Sequence, residues 1–369
     1  MTARDLIARV KTVVDGATDR VRTLWDQGPR WVRWVAYGAL LLLAIVAPSP
    51  AIGAIMAPYS DWTSVLFDPI GVYVLLAIGL NIVVGHAGLL DLGYVAFYAI
   101  GAYTWASLGI KFGFLFWPTL VIGVAFAAVS GVILGAPTLR LRGDYLAIVT
   151  LGFGEIVRIT ANNTEAIGGA RGLTPVPHPP PFFGVEFGLD PLPYYYLILA
   201  AIVLAIVFSH RLTDSRVGRA WTAIREDEDA AELTGVPTFR FKLLAFAIGA
   251  MFGGLAGVLW AGKILYIEPP NFPFVLSATI LAAVLLGGAG NLAGVVLGAF
   301  LIAWLPERFR GFADYRIMVF GAVLVIMMAL RPQGLLPSRQ RRAELASGES
   351  GASLGAEVQD ASAAPGRPR

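Results

Sequence analysis

The chain has 369 residues, 57% of them hydrophobic and 14% charged, with a mean hydropathy of +0.69. This balance excludes an ordinary soluble domain and predicts an all-α polytopic membrane protein. The net charge is only +3 and there is no cysteine, which argues against nucleic-acid binding and excludes disulfides and thiolate metal sites.

The first predicted element is a cytoplasmic amphipathic arm, residues 1–33. Leu6, Ile7, Val10, Val13, Val14, Ala17, Val21 and Leu24 recur at helical spacing with charges on the other face, as in an interfacial helix. The charged lead is too long for the n-region of a signal peptide. About ten apolar runs follow that are long enough to cross lipid, several of them short or broken by glycine. They fall at 34–56, 67–84, 88–109, 114–136, 144–160, 194–209, 243–262, 274–287, 291–306 and 315–330, so that 34–336 forms one transmembrane domain.

Basic residues orient these runs. Arg20, Arg22, Arg30 and Arg33 precede the first, Arg140 and Arg142 follow the fourth, and Arg211, Arg216, Arg219 and Arg225 follow the sixth. Arg331, Arg339, Arg341 and Arg342 follow the last. An even number of spans places all four groups, and both termini, on the cytoplasmic side. Arg308 and Arg310 fall on the opposite side in this count. The Gly- and Pro-rich segment 161–193 becomes an external loop, and the Ser-, Gly- and Glu-rich tail 337–369 is expected to be disordered.

One stretch departs from the apolar background. Ser209–Lys242 holds six Arg or Lys and six Asp or Glu, and must lie in water. Within it, Arg225, Glu226, Asp227, Glu228 and Asp229 are read as opening a short helix, with acids early where the helix dipole favours them. Ala230, Ala231 and Leu233 give it a small apolar face, and Gly235 closes it ahead of Pro237. A solvated loop would not need such organisation, so a helix that docks a partner is expected.

Polar groups in the spans are the other candidates. Asn81, Asp91 and Glu155 sit in apolar runs, where an ionisable group faces a bundle interior or an aqueous cavity. Glu155 can pair with Arg158 on one helix face, and Asp91 is placed near the cytoplasmic surface as a cap on the third span. With His86, Gly88, Gly287, Gly288, Gly290 and Asn291 at two glycine-rich breaks, these form the candidate pathway or gate. No HExxH, CxxC or P-loop occurs, so an enzyme or a self-contained ATPase is not expected.

Five blocks carry a family resemblance. They are Gly79–Tyr103 (GLNIVVGHAGLLDLGYVAFYAIGAY), Arg142–Ile159, Gly218–Ala250 (GRAWTAIREDEDAAELTGVPTFRFKLLAFAIGA), Leu285–Ala299 and the closing RPQGLL, Arg331–Leu336. Together they resemble the LivM-type permease subunit of branched-chain amino acid ATP-binding-cassette importers. The resemblance implies a second permease subunit, LivH-like or another copy of this chain. It also implies two cytoplasmic ATPase subunits that use ATP and magnesium, and a periplasmic substrate-binding protein. It implies that Asp229-Ala230-Ala231, followed by Gly235, is the ATPase-docking pattern with Asp in place of Glu. No cofactor is bound by the chain itself, and its other neighbour is membrane lipid. The alternatives are a permease of the same family for urea, short amides or other amino acids, an ion-coupled secondary transporter, a channel, and a membrane scaffold.

Overall fold

A computed structural model of the chain describes residues 30–139, 143–181, 184–310, 318, 321–322, 325 and 334–336. The amphipathic arm up to residue 29, Arg140, Arg142, nearly all of the run 315–330 and the tail 337–369 lie outside the described residues. The described part is a helical bundle, with one isolated bridge, Leu173 to Ile267, among its described residues.

The expected first span is broken. Helix α1 (Arg30–Val46) and helix α2 (Pro50–Met56) meet at a bend of 88°, because Pro48 and Pro50 bias the residues before them away from helix. Carbonyls near the end of α1 still need donors in an apolar setting. Trp62 Nε1 donates to Ala47 O at 2.8 Å, and the Tyr195 hydroxyl donates to Ala44 O at 2.5 Å.

Helix α3 (Trp62–His86) is the most buried of the long apolar helices. It is irregular twice, at Asp68-Pro69 and over Asn81–His86, which winds as a π-helix. The next helix, α4 (Val95–Phe112), starts later than its apolar run suggests. Between them the backbone is non-helical inside the bundle and some of its N–H groups take side-chain partners. Leu92 N donates to Thr150 Oγ1 at 3.0 Å, Gly93 N to Asp91 Oδ1 at 2.9 Å and Val95 N to Ser277 Oγ at 2.9 Å. Such backbone survives away from water because other elements supply these partners.

Helices α5 (Phe116–Thr138), α6 (Asp144–Asn163) and α7 (Pro191–Thr213) follow, then two short helices of the charged loop, α8 (Arg216–Glu226) and α9 (Glu228–Leu233). Helix α10 (Thr238–Ile264) packs most extensively on α4 and α5. Its glycines set the spacing: a Cβ on Gly101 of α4 would lie 2.1 Å from Gly254 O, so the two backbones touch directly.

Helices α11 (Phe274–Gly287) and α12 (Leu292–Arg308) form a hairpin through a tight turn with Gly288 and Gly290 at positive φ. At about 1.5 Å per residue, α11 reaches only ~21 Å. The hairpin opens at the end of the bundle opposite the charged loop. There Ser60, just before α3, donates to Glu307 at 3.0 Å, and Arg310 donates to Ser60 at 2.8 Å and pairs with Glu307 at 3.3 Å. Arg310 therefore sits at that end, paired with a carboxylate.

Five helices are long and apolar enough to cross a membrane, or six if the bent α1–α2 pair is one span. Ten are not reached among the described residues. Helix α12 is short, α4 carries Thr104, Ser107 and Lys111, and α6 carries Asp144, Glu155 and Arg158.

Candidate coupling site

The charged loop is built helix by helix. Ser215 caps α8, its hydroxyl accepting from Val217 N at 3.1 Å. Gly218, Trp221 and Ile224 are buried at spacings of three, so α8 lies with one face on the bundle. Trp221 Nε1 donates to Phe241 O at 2.7 Å, fixing that face to the start of α10.

Arg225 and Glu226 end α8 instead of opening the next helix, which corrects the expected single helix. The chain breaks at Asp227, at φ −156° and ψ 110°, and this residue caps α9 by accepting from Ala230 N at 3.0 Å. A run of acids does not reveal which one is the cap. Helix α9 ends in a Schellman motif. Gly235 N donates to Glu232 O at 2.9 Å and Val236 N to Ala231 O at 3.1 Å, with Gly235 at φ +87°.

Helix α9 shows two chemistries. Its inner side buries Ala231 and pairs Glu228 with Lys242, whose side chain is only 4% exposed. Its outer side presents Asp229, Ala230, Glu232 and Leu233, and Leu233 is 90% exposed. Leu233 thus leaves an apolar side chain in water on the outer side of a capped, anchored helix.

Beneath the loop, the Arg225 guanidinium donates to Gly85 O, and its stem lies on Gly88, where a Cβ would come within 2.9 Å of Arg225 Cγ. His86 Nε2 lies 3.4 Å from Thr213 Oγ1. Asn81, 1% exposed, accepts from Gly290 N at 2.8 Å. Asn291 Nδ2 donates to Leu336 O at 2.9 Å, while Leu335 N and Leu336 N donate to Leu286 O and Gly287 O at 2.7 and 3.0 Å. Asn81, His86, Gly88, Gly287, Gly288, Gly290 and Asn291 thus gather with Arg225 at one end of the bundle.

Two candidates lie elsewhere. Asp91 is fully buried, its Oδ1 accepts from Gly93 N, and α4 begins only at Val95, so Asp91 is not the cap of that helix. Glu155 accepts from both Nε and Nη2 of Arg158, at 2.9 and 2.7 Å, as a half-exposed pair on α6. Sequence reasoning missed Lys242 and Trp221. Their signals were a lysine opening a long apolar helix and a tryptophan inside a polar island. Among the described residues, no three His, Asp or Glu gather as metal ligands.

Comparison with known proteins places this arrangement. No solved structure matches the chain. The high-affinity branched-chain amino acid transport system permease protein LivM of Escherichia coli K12 is 45% identical over 300 residues, covering 75% of this chain and 70% of that protein. Its Salmonella typhimurium counterpart is 44% identical, covering 76% and 71%. The permease protein LivH of the same Escherichia coli system is 26% identical, covering 72% and 91%. Residues 66–328, most of the chain, match the model of one family. The chain is a multi-pass membrane transport subunit, not an enzyme, and belongs to the branched-chain amino acid transport system permease component family.

Proposed function

We propose that the chain is the LivM-type permease of an ATP-driven importer, forming with a LivH-like subunit the inner-membrane pathway for branched-chain amino acids. A periplasmic binding protein delivers the substrate, and two cytoplasmic ATPase subunits supply ATP hydrolysis with magnesium. In this reading the charged loop and both termini are cytoplasmic and the segment 161–193 is external. Ten crossings result when α4, α6, α12 and the run 315–330 are added as short spans to the six that include the bent α1–α2 pair. The observation that carries the reading is α9, a capped helix anchored on its inner side and bearing an exposed leucine on its outer side. Transport follows when nucleotide-bound ATPases bind one state of the permease better than the other.

Uptake into membrane vesicles containing the whole importer tests the substrate. Labelled leucine should enter only with ATP, and isoleucine and valine should compete with it. Competition by urea or acetamide, with none by isoleucine or valine, would move the chain to another cargo within the same family.

A further inference from the structure

We infer that Arg225 is a positioning residue that carries movement of the charged loop to the α11–α12 turn. This rests on the importer reading and assigns Arg225 a role distinct from docking. Arg225 shares the inner face of α8 with buried Trp221 and Ile224, so its guanidinium enters the bundle and meets Gly85 O. The outer side of α9 is where a partner binds.

From Gly85 the contacts continue without a spare layer. A Cβ on Gly85 would lie 2.0 Å from Asn81 Oδ1 and 2.5 Å from Gly290 N. Asn81 Oδ1 in turn holds Gly290 N at 2.8 Å. The Asn81–His86 segment is π-helical, a winding that recurs at functional sites. On its far side the turn is bound by residues 334–336, with Gly334 against Gly288, so it shifts as one piece. The Arg225 stem is packed on Gly88 while its guanidinium holds Gly85 O, so a movement of α8 presses on this break at two points. When Gly85 follows, Asn81 and Gly290 follow with it. Packed contacts of this kind switch between arrangements instead of yielding gradually. The Gly287–Asn291 turn is then the moving part of the gate, and Arg225 is its handle.

The test uses the whole importer in proteoliposomes and compares wild type with Arg225→Met, Asn81→Ala and the double variant. ATPase subunits retained per chain and leucine moved per ATP hydrolysed are both read. Both single variants should keep the ATPase subunits; Arg225→Met should lower leucine per ATP about tenfold, the loss of one hydrogen bond to a charged group, and Asn81→Ala about fivefold, the loss of a neutral one. The double variant should be no worse than the poorer single. Arg225→Lys, which keeps the charge and a donor, should recover part of the ratio, and it replaces Arg225→Met if that variant fails to assemble. Loss of the ATPase subunits from Arg225→Met, an unchanged ratio, or losses that multiply in the double variant would each overturn the assignment. A wild type that binds no ATPase would overturn the importer reading itself, and one that binds ATPases but moves no leucine would overturn the choice of cargo.

Discussion

Glu228→Ala probes how α9 is held. The Lys242 side chain is 4% exposed and Glu228 is 27% exposed, so the pair sits at the edge of the bundle with the ammonium on its inner side. Removing one partner of a fully buried pair costs about 3–5 kcal/mol, because the remaining charge stays buried. Water reaches the Glu228 side, which lowers the expected cost to about 2–4 kcal/mol. The purified subunit in detergent should melt at a lower temperature, followed through its nine tryptophans, of which Trp221 lies at this junction. Lys242→Met alone should cost less, because the exposed carboxylate can turn to water. The double variant should recover most of the loss, since an apolar side chain suits the buried position. Single effects below ~0.5 kcal/mol, or effects that simply add, would refute the idea that this pair fastens α9.

Gly101→Val should destabilise the subunit by about 1–3 kcal/mol, since its Cβ would meet Gly254 backbone that cannot turn aside. Gly152→Ala, where a Cβ meets nothing within 4 Å, is the control and should leave melting unchanged or slightly raised. Gly235→Ala should cost about 1 kcal/mol through backbone strain at φ +87° alone, and speed amide exchange over 231–236 about fivefold. Gly235→Pro should do more, because it also removes the bond from Gly235 N to Glu232 O.

The apolar runs were legible because lipid demands long uninterrupted stretches, and the charged loop because it interrupts them. The bend at Ala47–Ser49 was less visible, since proline lies within a run that stays apolar on both sides. Asp91 was read as a helix cap for a related reason. Composition extends the third span back to residue 88, but Thr150 and Ser277, from distant helices, support a non-helical backbone there. The short helix α9 was legible through Gly235 and its alanines. Its true start at Asp227 was hidden among five consecutive charged residues. Above all, Arg225 and Gly85 are 140 positions apart, and Asn81 and Gly290 are 209 apart. Periodicity reports which face of a helix is apolar, but carries no information about which distant turn that face meets.

The most direct measurement is native mass spectrometry of the complex carried by this subunit from detergent-solubilised membranes, wild type beside Leu233→Asp. Leu233 is 90% exposed, and burying a leucine in an interface is worth about 1.5–3 kcal/mol, or roughly 10- to 100-fold in affinity. The account predicts two permease subunits and two ATPase subunits with wild type, and permease subunits without ATPases with Leu233→Asp. ATPase subunits retained equally by both would contradict docking through α9, and an intact wild-type subunit without any ATPase would contradict the importer itself.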